Sequence, residues 1–483
     1  MLPLFASAAV FEAKSLSSLS ALSNDDIWWH LRTGIWILQN HGVPHSGLFS
    51  QSPQLPWSAS SWGYDLLVAF SFRLLGLRSI PVLLMAFRSA LAVVAFLLAG
   101  GLRGRFWPAV ALSVTAQYIL DSVPLGPSYC TMILFAVELL LLYESRTTGT
   151  LRPLFWLPPL FLVWANLDIQ FVYGILLLAL FLTASLLQDL RSRLAVGALR
   201  QEEGAVSLAN AGIVATLCGI ATIITPYFYH LYGVFLASLT SASNRYLPDF
   251  QAMGFRQPPD YVLMLLTMAA FLTLGLRRSR DPFQIALLSG CAMFSFYAQR
   301  DAWLATLAAI AVIAEAIRNT GDTPDTHETD VHPKRARNRR LLIAGGLSVA
   351  TLVLAAVVEI PSSNEVLLAK VAQSYPVAAC NYIRRHQLPH PLFNSYEWGG
   401  FLIWYLPEYP VAIDSRIDLY DENFIVQYFK VMNAEVPYKA YPAMAQAGTL
   451  LVQRNSPIGE ALRTLPAFRV AYSDSVAVVA TKP

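Results

Sequence analysis

Residues 170–188 read QFVYGILLLALFLTASLLQ, a run of nineteen residues with no charged side chain. A transmembrane helix needs about 20 mostly apolar residues, so this run is long enough to cross a bilayer. The composition agrees, because 55% of the 483 residues are hydrophobic and only 13% are charged; an average soluble domain carries roughly 25% charged residues. The sequence therefore predicts an integral membrane protein and excludes a water-soluble globule.

The net charge and the cysteines indicate no other class of protein. The net charge is only +3, and the basic residues fall in short clusters that are typical of membrane topology, not of nucleic-acid binding. None of the four cysteines pairs with another at the spacing of a metal site or a disulfide framework. The sequence also lacks a P-loop, a zinc signature, a haem motif and a nucleophile elbow.

The apolar runs predict an all-α bundle of about eleven spans. The first segment, Leu2 to Leu22, is short and is interrupted by Glu12 and Lys14. Ten stronger runs follow at about 79–101, 106–120, 129–143, 153–167, 170–188, 207–225, 260–276, 283–299, 302–317 and 341–360. Two further apolar segments, Trp62 to Gly76 and Tyr227 to Leu239, are predicted to lie at the outer membrane interface.

The distribution of arginines between the loops predicts the orientation. With a cytoplasmic N-terminus, the inner loops collect most of the basic residues, which is the usual arrangement in membrane proteins. Those inner residues are Arg103, Arg105, Arg146, Arg152, Arg191, Arg193, Arg200, Arg277, Arg278, Arg280, Arg318, Lys334, Arg335, Arg337, Arg339 and Arg340. We expect a multi-pass membrane protein with a cytoplasmic N-terminus and with its C-terminal domain on the extracytoplasmic side.

The C-terminal part of the chain differs from the rest in the length of its apolar runs. Residues 1–318 form the predicted bundle, 319–340 a basic cytoplasmic linker and 341–360 the last span. From 361 to 483 the apolar runs shorten to strand length at Pro391 to Asn394, Val411 to Asp414, Thr449 to Gln453 and Val476 to Ala480, and helical stretches at about 374–387, 421–433 and 457–464 lie between them. This alternation predicts a small soluble α/β domain.

The first outer loop, residues 23–78, carries the strongest candidates for chemistry. Asp25 and Asp26 open an amphipathic helix in which Asp26, His30 and Thr33 share one face. Such a carboxylate pair suits a divalent cation or a general base acting on a hydroxyl. An equally simple interpretation is structural, because Ser23 with Asp26 resembles a capping box and acids favour a helix N-terminus.

Three stretches carry a resemblance that extends over nearly the whole chain. They are DIWWHLRTG at 26–34 with VPHSGLFS at 43–50, then WANLDIQFVYG at 164–174, and FNSYEWGGFLIW at 393–404 with VAIDSR at 411–416. Together they resemble a family of bacterial polytopic proteins that is similar to the GT-C superfamily of polyprenyl-phosphate-sugar-dependent glycosyltransferases. The second stretch departs from that family at Asp168, where many members have His.

The resemblance implies a membrane glycosyltransferase in which an acidic residue of the first outer loop is the catalytic base or a metal ligand. Asp26 matches that position best, with Asp25 as its neighbour, so a divalent cation is the only cofactor implied. The partners implied are the bilayer, a polyprenyl-phosphate-linked sugar donor and a glycan or protein acceptor, and the location implied is a bacterial inner membrane. The departure at Asp168 leaves that residue's role as a substrate-binding group open.

Other polar residues are candidates for substrate binding. Arg300 and Asp301 adjoin two predicted spans, where an arginine suits a donor phosphate and a mutual salt bridge explains the pair equally well. His230, Arg245 and Asp249 lie in the long loop 226–259 and suit an acceptor path or an ordinary solvated loop. In the tail, Asp414, Arg416 and Asp418 alternate as they would on one face of a strand.

Three functions follow from these observations, and the enzyme is favoured. The alternatives are a non-catalytic GT-C-like scaffold or binding subunit and, less favoured, a transporter of a lipid-linked intermediate, since no internal repeat is found. Convergence of Asp25, Asp26, Asp168 and Arg300 on one pocket favours the enzyme, whereas local pairing of each favours the scaffold.

Overall fold

The computed structural model describes residues 20–102, 105–195, 208–319, 360–361, 363–463 and 465–482. The predicted first span lies outside these residues except for a 3-10 turn at Ser20–Ser23, and the predicted span 341–360 and the linker 319–340 lie almost wholly outside them. The described chain is mostly helical and carries one small sheet near its C-terminus.

Every apolar run predicted between residues 79 and 317 coincides with a helix. The helices of this part are α1 Asp26–Asn40, α2 Trp62–Leu75, α3 Ser79–Leu98, α4 Phe106–Ile119, α5 Ser128–Thr148, α6 Leu157–Leu167, α7 Phe171–Ala195, α8 Leu208–Ile223, α9 His230–Thr240, α10 Pro258–Leu276, α11 Pro282–Tyr297 and α12 Ala302–Asn319. Their buried faces form a continuous apolar core.

Among the residues that the structure describes, four stretches are long and apolar enough to cross a membrane by length and composition: Trp62–Leu98, Ser128–Thr148, Phe171–Arg191 and Pro258–Leu276. Several other apolar helices are shorter than the roughly 20 residues that a span requires, among them Pro282–Tyr297. The chain is thus a membrane protein, but the predicted count of about eleven spans is not confirmed in the described residues.

The first loop folds into two helices that cross closely. A Cβ atom at Gly34 of α1 would lie 2.0 Å from the carbonyl oxygen of Asp65 and 2.8 Å from the Cβ of Ala69, both on α2. Only glycine fits this crossing. A 3-10 turn with a left-handed Gly76, φ +59°, then separates α2 from α3.

Residues 363–482, here named the C-terminal unit, contain a four-stranded sheet. Its strands are β1 Leu392–Asn394, β2 Thr449–Gln453, β3 Arg469–Ser473 and β4 Ala477–Thr481, in the order β1-β2-β4-β3. β1 is parallel to β2, and the other pairs are antiparallel. The helices are α13 Asn364–Val371, α14 Val377–His386, α15 Gly399–Tyr405, α16 Glu422–Met432, α17 Pro442–Ala445 and α18 Pro457–Ala461.

Three of the four predicted strands and all three predicted helices of this unit are present, with small shifts of their ends. The prediction of a strand at Val411 to Asp414 is wrong. Val411 forms a single parallel bridge with Ser50, so its hydrogen bonds go to the first loop and not to the sheet. The alternation of Asp414, Arg416 and Asp418 on a strand face is therefore wrong too.

The C-terminal unit packs directly on the first loop. Gln51 N donates to the Val411 carbonyl at 2.9 Å, and Val411 N donates to the Phe49 carbonyl at 3.0 Å. On the other side, the ring of Trp28 stacks on that of Trp404 with centroids 4.7 Å apart. These contacts bring residues that are far apart in sequence to one cavity.

Candidate functional site

A cavity of about 570 Å³ lies where the start of α1 meets the C-terminal unit and two turns of the bundle. This volume is within the range of small-molecule sites in proteins. Its polar lining comes from six separate segments of the chain. The polar and aromatic lining residues include Asp25, Asp26, Arg88, Asp121, Asp249, Phe250, Tyr396, Glu397 and Ser415.

Asp26 is half-buried at the wall of this cavity, at the first residue of α1. Its Oδ1 accepts a hydrogen bond from the indole N–H of Trp29 at 3.3 Å, and the same N–H donates to Ser415 Oγ at 3.1 Å. Ser23 and Asp26 do not form a capping box, because the N-cap residue is Asp25 and the N–H of Asp26 donates instead to Asn24 Oδ1 at 3.2 Å. Asp26 therefore stands oriented in a pocket, as a general base requires.

Asp25 has a different environment, although it is the next residue. Its Oδ2 accepts from Gly400 N at 3.2 Å and its Oδ1 accepts from Phe401 N at 3.1 Å, so both oxygens bind the first turn of α15. Burial raises the pKa of the Asp25 carboxyl, the Asp26 carboxylate raises it further, and the two backbone N–H groups oppose both effects. With both oxygens engaged, Asp25 is poorly placed to take a proton from a substrate.

Arg88 supplies positive charge to the cavity. Its Nη1 lies 3.1 Å from Asp121 Oδ1, and its Nε donates to the hydroxyl of Tyr129 at 3.3 Å. Its side chain is 12% exposed. We did not predict Arg88 from the sequence, but a signal existed: it is a lone arginine within an apolar run, and ionisable residues at such positions usually face a cavity.

Arg300 lies behind the cavity wall. Its guanidinium carbon is 3.9 Å from the ring centroid of Phe250, which lines the cavity, whereas its Nε is 3.8 Å from Asp301 Oδ1. Asp301 is buried and accepts from the hydroxyl of Tyr173 at 2.9 Å. The predicted salt bridge between Arg300 and Asp301 is thus present at a long distance, and Arg300 also makes a cation–π contact with the Phe250 ring.

The charges of this region also act on Asp249, which lines the cavity beside Phe250. Withdrawal from water raises the pKa of Asp249, the Asp26 carboxylate raises it further, and the Arg300 guanidinium lowers it. Asp26 and Arg300 therefore both act on the Asp249 carboxyl, with opposite effects on its pKa.

Asp168 does not line the cavity. Its Oδ2 accepts from Thr131 Oγ1 at 2.7 Å, and Thr131 in turn accepts from the indole N–H of Trp164 at 2.8 Å. Burial raises the pKa of Asp168 to about 6, against the hydrogen bonds from Thr131 and the N–H of Gln170. Trp164 and Asp168, both in the second stretch of the resemblance, are thus joined through Thr131 in a buried hydrogen-bond chain.

The remaining predicted residues lie away from the cavity. The Nδ1 of His30 is 2.5 Å from Asp65 Oδ1, and both side chains are buried, so this pair joins α1 to α2. His230 is exposed and stacks on Tyr229. Arg245 is exposed and donates to the carbonyl of Ala242 at 3.1 Å. None of the three lines the cavity.

In the part of the chain that the structure describes, no three His, Cys, Asp or Glu residues form a group that is arranged for a metal ion. Asp25 is the weaker of the two predicted ligands, because its oxygens already accept two N–H bonds. The divalent cation stays a prediction, with Asp26 as the residue able to contact it.

A second, mostly apolar groove of about 510 Å³ opens on the outside of the bundle. It is lined by Trp62, Asn166, Ile220, Ile223, Ile224, Thr225, Pro226 and Phe228. Ile224 and Phe228 are 59% and 60% exposed, so this surface is large, apolar and open on one side. Its chemistry suits a hydrocarbon chain.

Searches of protein-family models and of curated proteins find no match to this chain. Among solved structures, it is similar to ArnT from Cupriavidus metallidurans bound to undecaprenyl phosphate, with 13% identity, a TM-score of 0.46 and coverage of 98% of this chain and 97% of ArnT. The apo form of ArnT matches over the same shares at 13% identity and a TM-score of 0.41.

The chain is also similar to the arabinofuranosyltransferase AftD from Mycobacteria, with 13% identity and a TM-score of 0.45. That match covers 98% of this chain but only 40% of AftD.

Proposed function

We propose that this protein is a membrane glycosyltransferase that moves a sugar from a polyprenyl-phosphate-linked donor to an acceptor hydroxyl in the cavity beside Asp26. The observation that carries the proposal is the Asp26 carboxylate, oriented by Trp29 and facing a cavity that also contains the Arg88 guanidinium. The sequence resemblance supplies the reaction class. We place the cavity on the extracytoplasmic side, as the arginine distribution predicts.

In the proposed reaction the acceptor oxygen attacks the anomeric carbon of the donor sugar. Its proton passes to the Asp26 carboxylate as the new C–O bond forms. The bond between the anomeric carbon and the phosphate oxygen breaks, and the lipid phosphate leaves with that electron pair. Arg88 faces the cavity and is the better candidate to neutralise this charge, whereas Arg300 is separated from the cavity by Phe250.

The lipid part of the donor needs an apolar surface. The open groove around Ile224 and Phe228 offers one, and its exposed residues would otherwise face the hydrocarbon of the bilayer. The ArnT structure that this chain resembles contains undecaprenyl phosphate. We propose undecaprenyl-phosphate-linked sugars as the first donors to test.

The test compares the full-length protein with Asp26→Asn, in nanodiscs with a panel of undecaprenyl-phosphate-linked sugars and in surface-glycan profiles of a deletion strain that is complemented with each variant. Loss of a general base costs about 10²- to 10⁴-fold in rate. We expect Asp26→Asn to lose transfer and to fold normally. Glu422→Gln is the matched control, because Glu422 is an exposed acid on α16, away from the cavity, and it should retain full activity. Full activity in Asp26→Asn would contradict the proposal.

A second candidate, a non-catalytic binding subunit, is favoured by one observation: the carboxylates of Asp25 and Asp168 already accept hydrogen bonds from other groups of the protein. For such a subunit, the deletion strain would lose a surface glycan, and both Asp26→Asn and the wild-type chain would restore it equally. The same pair of strains therefore separates the two functions.

A further inference from the structure

Asp25, the residue before Asp26, links the first outer loop to the C-terminal unit by hydrogen bonds. Asp25 accepts backbone hydrogen bonds from Gly400 at 3.2 Å and from Phe401 at 3.1 Å, across 375 and 376 residues of sequence. The approach is close enough to require glycine. A Cβ atom at Gly400 would lie 2.3 Å from the backbone oxygen of Asp25 and 3.0 Å from its Oδ1.

A second contact holds the same loop from the other side of Asp26. The indole N–H of Trp29 is shared between Asp26 Oδ1 and Ser415 Oγ, so Ser415 helps to set the direction of the Asp26 carboxylate. Between these two polar contacts, Trp28 meets the ring of Phe401 edge-on at 5.5 Å. The C-terminal unit thus contacts the loop on both sides of Asp26.

These contacts also make the C-terminal unit a wall of the cavity. Tyr396 and Glu397 precede Gly400 by only a few residues and line the cavity, as does Ser415. A displacement of Asp25 relative to α15 would therefore move Asp26 against the opposite wall. Misplacement of a catalytic group by about 1 Å can cost on the order of 10²-fold in rate.

We propose that Asp25 is a positioning residue and not a second base: by binding the first turn of α15, its carboxylate fixes Asp26 in the cavity and makes the C-terminal unit part of the active site. This inference rests on the proposed function. Asp25 and Gly400 then affect kcat without contacting the donor or the acceptor.

The test uses the full-length chain in nanodiscs, with the donor that supports transfer by the wild-type protein. We expect Asp25→Asn, which keeps one acceptor oxygen, and Gly400→Ala to lower kcat about tenfold to hundredfold with the donor KM within about twofold. Asp25→Ala, which keeps no acceptor, should lose more. Gly290→Ala is the matched control, because no atom lies within 4 Å of a Cβ there.

A double variant separates positioning from general loss of fold. If Asp25 and Gly400 act through one contact, Asp25→Ala combined with Gly400→Ala should lower kcat no further than the worse single variant. Unchanged kcat in both single variants, with Asp26→Asn inactive, would overturn the inference and leave the proposed function intact. A fully active Asp26→Asn would instead overturn the proposed function.

Discussion

The guanidinium of Arg416 lies 4.7 Å from the ring centroid of Trp57, and only 1% of Arg416 is exposed. Arg416 belongs to the C-terminal unit and Trp57 to the first loop. Asp414 completes the arrangement, because its two carboxylate oxygens accept from Arg416 Nε and Nη2, each at 2.8 Å. A buried ion pair thus sits at the junction that forms the cavity.

The first prediction is that Arg416→Met destabilises the protein by about 3–5 kcal/mol, the usual cost of leaving one partner of a buried ion pair uncompensated. Burial alone raises the pKa of Asp414, but the Arg416 charge and the hydrogen bonds from Arg416 and Tyr420 outweigh it and hold that pKa below its ordinary value. Without Arg416 the carboxylate is buried and unpaired. Thermal unfolding in detergent measures the effect.

Arg385→Met is the control for this prediction, since Arg385 is exposed on α14. It should change the free energy of unfolding by no more than about 0.5 kcal/mol. Equal stability of the two variants would show that the pair contributes nothing at this junction.

The second prediction concerns Gly34. Gly34→Ala places a Cβ 2.0 Å from the Asp65 carbonyl oxygen, which is a backbone atom of α2 and cannot rotate away. The two helices must separate, and overpacking of this kind costs about 1–3 kcal/mol. The same substitution at Gly219, where a Cβ meets no atom within 4 Å, should leave the unfolding temperature unchanged or raised. If both variants unfold at the wild-type temperature, α1 and α2 are not packed as described.

The helices were predictable because each needs only local information. A run such as 170–188 is long, apolar and uninterrupted, and it forms most of α7. The strand Arg469–Ser473 was missed because its side chains are mostly exposed and its pairing contains an irregularity between Val470 and Tyr472, so it lacks an apolar pattern. Val411 to Asp414 has the apolar pattern but pairs outside the sheet.

The site was predictable only in part. Asp26 was assigned to a substrate cavity by resemblance, and in the structure it lines the cavity of about 570 Å³. The separate role of Asp25 depends on Gly400 and Phe401, which lie far along the chain, and no local pattern encodes that contact. Arg88 was not predicted as a site residue because it lies within an apolar run. Arg300 was predicted because it is adjacent to Asp301.

The third prediction compares these two arginines. Arg88 lines the cavity and Arg300 is stacked behind Phe250, so Arg88→Lys should raise the donor KM more than Arg300→Lys does. Lysine keeps the charge but loses the planar fork of donors that binds phosphate oxygens. Steady-state kinetics with an undecaprenyl-phosphate-linked donor measure both. A larger effect at Arg300 would indicate that the donor phosphate binds on the Arg300 side of Phe250.

The last prediction uses the pH dependence of stability. Burial raises the pKa of Asp168 from its ordinary value of 3.8 to about 6, so between these values the folded protein holds a proton that the unfolded chain releases. Stability contributed by this group is full below about pH 4 and falls as the pH rises towards 6. The two-unit shift corresponds to roughly 3 kcal/mol as an upper limit. In Asp168→Asn, which cannot ionise, the free energy of unfolding in detergent should fall less steeply between pH 4 and pH 6 than in the wild-type protein. Parallel curves for the two proteins would mean that Asp168 does not titrate in this window, and that Thr131 holds it in one protonation state throughout.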